Sequence, residues 1–358
     1  MRFEDKVVYQ IYPKSFQDSN GDGWGDINGI RSRMDYLAGL GVDYLWLTPF
    51  FPSPQRDNGY DVADYRAVDP RFGTMADLEA LIAEAEARGI GLMFDMVFNH
   101  TSTAHEWFQK ALQGDAKYMD YYIFRDGTPD APPTNWQSKF GGSAWEYVPH
   151  LGKWYLHLFD VTQADLNWEN PAVREELKDI LRFWKAKGVK GFRFDVVNLI
   201  SKGEFVDDKE GDGRRFYTDG PHVHEYLKEL VYDSGIEGMV TVGEMSSTTI
   251  ANCIRYTNPA EHELSMTFSF HPSSQGRLQG WRQVVADGAR HPCAQGDLRL
   301  VAGGYGTRRR LERCLLVQPR PAAHRLAPRR CGPLLEGVGQ DACSHHPPHA
   351  RHALHLPG

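Results

Sequence analysis

Six short apolar runs constrain this chain more than any other feature. Residues 7–12, 44–48, 92–99, 191–197, 239–244 and 266–270 are bounded by turn residues and stay apolar through most of their length, as strands buried on both faces do. Between them, residues 27–40, 75–88, 171–187 and 221–231 read as helices. Pro171 and Pro221 suit first-turn positions, and Gly41, Gly89 and Gly188 stand where helices stop. Such β-then-α repetition predicts a parallel sheet, as a closed barrel or as an open doubly wound sheet.

One segment breaks the rhythm. Residues 101–170 carry Trp107, Trp136, Trp145, Trp154 and Trp168, too long and too aromatic a stretch for a connector. It reads as a subdomain inserted after the third strand, covering the strand ends. The division is then 1–100 for strands one to three, 101–170 for the insertion and 171–271 for strands four to six.

Residues 272–358 are of another kind. All 18 Phe and all 13 Lys precede them, whereas they hold 13 Arg against five acids (Asp287, Asp297, Glu312, Glu336 and Asp341). They therefore carry +8, and the first 271 residues −15, of the overall −7. With Trp281 and Tyr305 as their only aromatics, they bury too little apolar area to offset the entropy of ordering. The expectation is an aberrant, disordered tail, written by a change of reading frame. Cys331, Cys343, His345, His346, His349 and His352 invite a metal reading, but their spacing matches no zinc framework.

The acidic balance argues against nucleic acid or an anionic membrane as partner. No apolar run reaches membrane-spanning length, and the start, MRFEDKVVYQIY, has no apolar signal core. With one cysteine before the break, the cytoplasm is the expected compartment.

Charged residues collect where the strands end, at Asp95, Asn99 and His100, at Arg193 and Asp195, and at Glu244. Barrel chemistry sits on that rim. Two carboxylates on neighbouring strands can stand about 5–5.5 Å apart, the separation used in retaining glycoside hydrolysis. Arg193, on the same strand face as Asp195, would hold it ionised, and Glu244 is expected to stay protonated as the acid. The bland alternative for Arg193 and Asp195 is a structural ion pair.

The strings VVYQIYPKSF, PQRDNGYDV, DMVFNHTS, GFRFDVVNLISK and VGEMSS resemble the α-amylase superfamily of retaining α-glycosidases, glycoside hydrolase family 13. NWQSKFGGSAWEY, LHLFDVTQADLNWENP and EGDGRRFYTDGP resemble its trehalose-6-phosphate hydrolases, over about residues 5–271. The resemblance implies a (β/α)8 TIM barrel with an inserted domain B, here incomplete at about six strands. It implies Asp195 as nucleophile, Glu244 as acid/base and Arg193 as the arginine that orients the nucleophile. His100, Asp57 and Tyr60 are implied to grip and stack on the glucose, and Val196 to accompany α-1,6 rather than α-1,4 action. The implied partner is a small α-glucoside, trehalose 6-phosphate, whose phosphate would meet Arg214 and Arg215; solvated loop arginines are the plain alternative.

Asp18, Asn20, Asp22 and Asp26, with the Trp24 carbonyl and Gly23 at the turn, supply oxygens in the pattern of half a calcium loop. Related loops in the superfamily hold one structural calcium; a plain Asx-rich turn is the alternative. The sequence departs from the family in one respect. Its third catalytic carboxylate lies in an Asn-His-Asp string, and none occurs here, so the chain as it stands is expected to be inactive or nearly so. The same machinery would serve an oligo-1,6-glucosidase, and a barrel without turnover would serve a carbohydrate-binding protein.

Overall fold

The structure, a computed structural model, describes residues 6–269 and the backbone of residues 314–315. Among the described residues, twelve strands run in chain order. They are β1 (Val8–Ile11), β2 (Tyr44–Leu47), β3 (Gly91–Met96), β4 (His100–Ser102), β5 (Phe124–Asp126), β6 (Trp145–Val148), β7 (Lys153–Leu156), β8 (Gln163–Asp165), β9 (Gly191–Phe194), β10 (Val240–Met245), β11 (Met266–Ser269) and β12 (Cys314–Leu315). β1, β2, β3, β9, β10 and β11 pair in that order, all parallel, as the six-stranded half of a barrel. The two-residue β12 adds beside β11, where the sequence placed no element. The rest of the tail, with its proposed disorder and its Cys and His, lies outside the described residues.

Crossover helices follow the strands and have local causes. Thr74 and Asp77 form a reciprocal capping box at the start of Met75–Glu86. Asn170 caps Pro171–Ala186, whose Pro171 occupies the first turn, and Gly188 beyond its end takes a left-handed φ of +98°. The expected helix 27–40 is instead two, Ile27–Ser32 and Met34–Gly39. Ser32 Oγ bonds back to the Gly29 carbonyl, and the Arg33 amide closes on Ile30, which tightens the chain at their junction.

Register and alternation together place the chemistry. On β9, Phe192 and Phe194 face the helices and join the main core with Leu45, Leu47, Phe94 and Trp184. Arg193 points the other way, toward Trp46, Tyr60 and Phe268. Arg193 is the register partner of Asp95 on β3 and of Val242 on β10. The pairing of Gly243 with Phe194 leaves Glu244 and Asp195 each one residue further, at the same level of the rim.

Residues 101–170 hold the three-stranded antiparallel sheet β5-β7-β6, the pair β4-β8 and two short helices. Trp136, Trp145, Trp154, Leu156 and Ile123 form a second core with Val196, Leu199 and Tyr217 from the segment after β9. Each such side chain contributes about 1.5–3 kcal/mol through burial, so the aromatic stretch fixes itself over that loop. Gly213 allows the closest approach: with φ +92°, it presses on Trp136, and a Cβ there would sit 2.5 Å from the ring. No helix among the described residues is long and apolar enough to cross a membrane.

Candidate active site

The site is built around one buried cation. Arg193 Nη1 donates to Asp195 Oδ1 at 2.7 Å and also to Asp95 Oδ1, while Nη2 pairs with Glu244 Oε2. The two carboxylates singled out from the sequence therefore meet the same guanidinium, on the same side of the sheet. Burial alone would push a guanidinium down, but the surrounding carboxylates hold Arg193 well above its ordinary range.

The structure shows how these acids are partnered. Glu244, expected from the sequence to stay protonated as the acid, lies against the Arg193 guanidinium, because β10 and β9 stand in register at the rim. The Asp95 carboxyl is driven up to about 6, by burial first and then by the charge of Asp195, with Arg193 opposing. Asp95 also accepts from Trp46 Nε1 and from the Tyr60 hydroxyl, both at 3.1 Å. Sequence reading noted Asp95 only as a strand end; the cross-strand register that makes it a partner of Arg193 leaves no trace in local pattern.

His100, Asp57 and Tyr60 come together beside this cluster. His100 opens β4 rather than ending β3, and its Nε2 lies 3.2 Å from the Tyr60 carbonyl. Gln163 on β8, which sequence reading missed, ties the group. Its Nε2 donates to Asp57 Oδ2 at 2.9 Å and lies 3.0 Å from His100 Nε2. Burial raises the Asp57 carboxyl, and Gln163 and His100 oppose that rise. Beneath His100, Asn99 donates to Asp165 Oδ2 at 3.0 Å and accepts from Lys202 at 2.8 Å. Lys202 also pairs with Asp165 at 2.8 Å, so this buried triad is mutually satisfied.

Val196, directly after Asp195, is left-handed at φ +36° and ψ +40°. A β-branched residue rarely adopts this region, and such strain persists where a functional geometry is held in place. Arg214 and Arg215 are half-exposed and already engaged, Arg214 with Asp212 at 2.9 Å and Arg215 with Asp208 at 2.8 Å.

The loop 18–26 is closed by its own hydrogen bonds. Asp18 accepts from the amides of Asn20, Gly21 and Gly23, which holds its carboxyl below the usual range. Asp22 accepts from Trp24 and from Asn20 Nδ2. Asp26 accepts from Ser19 and caps the helix Ile27–Ser32 through Gly29. Among the described residues no group of three or more His, Cys, Asp or Glu is gathered as a metal centre. The donor chemistry nevertheless fits a hard cation, since an ionised carboxylate keeps lone pairs beyond those given to amides.

A parallel half-barrel with carboxylates and an arginine at its C-terminal rim defines an α/β enzyme of the barrel class. The α-amylase catalytic-domain family matches residues 10–286, and the chain belongs to that glycosidase family. Trehalose-6-phosphate hydrolase of Escherichia coli (strain K12) is 57% identical over 271 residues, 75% of this chain and 49% of that protein. Oligo-1,6-glucosidase of Parageobacillus thermoglucosidasius is 49% identical over 282 residues, again 75% and 49%. The crystal structure of Bacillus licheniformis trehalose-6-phosphate hydrolase superimposes with a TM-score of 0.73 at 57% identity, covering 75% of this chain and 49% of that one. The chain thus spans about half the length of the curated relatives it matches.

Proposed function

We propose that this chain carries the charge-handling and glucose-gripping half of a retaining α-glucosidase site, and that its substrate is trehalose 6-phosphate, cleaved to glucose and glucose 6-phosphate. The observation that carries the reading is the contact of one guanidinium, Arg193, with both Asp195 and Glu244. Asp195 attacks the anomeric carbon and forms a covalent β-glucosyl intermediate. Glu244 passes a proton to the leaving oxygen and then takes one from the attacking water. Arg193 keeps the nucleophile ionised and aimed. Asp57 and His100 hold glucose hydroxyls, and Tyr60 covers an apolar sugar face.

To act as an acid, Glu244 must part from Arg193. In the family's pattern a third carboxylate completes the site, and no Asn-His-Asp string occurs in residues 1–358. The cleavage described needs that carboxylate supplied, and residues 1–358 alone are expected to bind the sugar without appreciable turnover. A purified 358-residue product that cleaves p-nitrophenyl α-glucoside, with the activity lost in Asp195→Asn, refutes that part of the reading.

The greater identity to trehalose-6-phosphate hydrolases than to oligo-1,6-glucosidases, 57% against 49%, supports the phosphorylated substrate, and a phosphorylated sugar is the ground for reading the protein as cytoplasmic. Val196 and the second relative favour an isomaltose-like α-1,6 substrate as the other reading. Calorimetry with trehalose 6-phosphate and isomaltose separates them. Trehalose 6-phosphate is expected to bind at least tenfold more tightly, and tighter binding of isomaltose overturns the assignment.

We further propose one structural calcium on Asp18, Asn20, Asp22, Asp26 and the Trp24 carbonyl. It would tie the loop after β1 to the helix Ile27–Ser32 and take no part in chemistry.

A further inference from the structure

Lys139 stands out among the cations. It lies in the residues 101–170 that cover the rim, and burial drives its ammonium down to about 8, with Arg214 adding to the drop and Asp212 and Asp165 opposing it. Its Nζ donates to Ser246 Oγ at 3.0 Å and lies 5.3 Å from the Tyr217 ring centroid, and no carboxylate of the described residues pairs with it. The cations seated elsewhere in the rim, Arg193 and Lys202, are each neutralised by an acid. A half-buried ammonium without a carboxylate is costly to keep, and that cost is repaid when an anion arrives.

Its position says which anion. Ser246 is two residues past Glu244, and both its backbone groups bond to Asn198, three residues past Asp195. The Lys139 amide is bonded to the Leu158 carbonyl, and the Leu158 amide to Asp165, so the lysine's backbone is fixed within the insertion while its side chain reaches the loop after β10 through Ser246. The proton donor stands on the leaving-group side of a glycosidic bond, and Lys139 is fastened to the donor's own loop. Around it lie Arg214, close enough to shift it, and the Tyr217 hydroxyl, which is wholly buried with no hydrogen-bond partner. Ammonium, guanidinium and a spare hydroxyl together make a donor set for a phosphate monoester.

We propose that Lys139, with Arg214 and the Tyr217 hydroxyl beside it, binds the 6-phosphate of the leaving glucose and sets the preference for a phosphorylated over a plain disaccharide. The proposal rests on the phosphorylated-substrate reading and narrows it. It moves the main phosphate contact to Lys139 from Arg214 and Arg215, which are each paired with an acid, Arg214 with Asp212 and Arg215 with Asp208 and Glu210, and leaves Arg214 a supporting place.

The test is calorimetric titration of the 358-residue chain, unmodified and as Lys139→Met and Lys139→Arg, with trehalose 6-phosphate and with trehalose. The unmodified chain is expected to prefer trehalose 6-phosphate at least tenfold. Lys139→Met should lower that preference to within about twofold of none, with trehalose affinity unchanged as the control for folding, and Lys139→Arg should restore part of it. If the unmodified chain prefers the phosphorylated sugar and Lys139→Met keeps the preference, Lys139 is not the phosphate contact and the substrate reading stands. No preference in the unmodified chain, or no binding of either sugar, overturns the substrate reading and this inference with it.

Discussion

Asn198 clamps Ser246 through two hydrogen bonds: its Nδ2 donates to the Ser246 carbonyl and its Oδ1 accepts from the Ser246 amide, both at 2.8 Å. The loop after β9 is thereby fastened to the loop after β10, and the candidate nucleophile keeps its place relative to the candidate acid. Asn198 is fully buried, and its remaining N–H goes to Asp219 at 3.1 Å.

Asn198→Ala leaves the Ser246 amide and carbonyl and one Asp219 oxygen short of partners, so it should destabilise the protein by about 2–4 kcal/mol in urea unfolding. Asn198→Asp changes less volume, yet places an acceptor against the Ser246 carbonyl and the Asp219 carboxylate. It should cost at least as much at neutral pH. An Asp variant more stable than the Ala variant would show that volume, not the hydrogen-bond pattern, governs this position.

Asp95 should give stability a distinct pH dependence. Its carboxyl is raised to about 6 in the folded chain, by burial, against an ordinary value near 3.9. Between those values the folded state binds a proton that the unfolded state has released, so this group's contribution favours folding at low pH and is lost as pH rises through about 6. Asp95→Asn cannot titrate. The stability of the unmodified chain relative to Asp95→Asn should therefore fall as pH is raised from about 4.5 to 7, read from urea midpoints at each pH. A difference that is flat or rises over that window contradicts the assignment.

The strands were legible because a strand buried on both faces must be apolar throughout, and the pairing of Arg193 with Asp195 because two residues on one strand share a face. Contacts between strands were not. Asp95 and Glu244 both reach Arg193 through registers that no local pattern encodes. Gln163 and Lys139 sit in an antiparallel, loop-rich insertion whose sequence has no period linking them to the rim. Helix 27–40 reads as continuous because Ile27, Ile30, Met34 and Leu37 keep helical spacing across the junction; the Ser32 side chain that divides it acts through a hydrogen bond, to which hydropathy is blind.

Calcium should raise the unfolding temperature. A ligand that binds only the folded state at 100 times its Kd adds about 2.7 kcal/mol, a rise of several degrees for a domain of this size. Excess chelator should reverse the shift, and Asp22→Ala, which removes one exposed carboxylate of the loop, should abolish most of it. A melting curve indifferent to millimolar calcium and to chelator leaves the loop as a self-bonded turn.

Arg193 is where charge and geometry are best separated. Arg193→Met strands Asp95, Asp195 and Glu244 around an apolar side chain, and breaking a buried charge cluster from one side costs about 3–5 kcal/mol. Part of that loss should be recovered near pH 5, where the Asp95 carboxyl is protonated and the repulsion falls. Arg193→Lys keeps the charge but not the planar fork that reaches acids on β3, β9 and β10 together. It should be more stable than the Met variant at pH 7, yet bind trehalose 6-phosphate at least tenfold more weakly than the unmodified chain. Urea unfolding at the two pH values and calorimetry report these outcomes separately. If Met proves as stable as Arg at pH 7, the three carboxylates are not held by this cation, and the charge assignment at the rim fails with it.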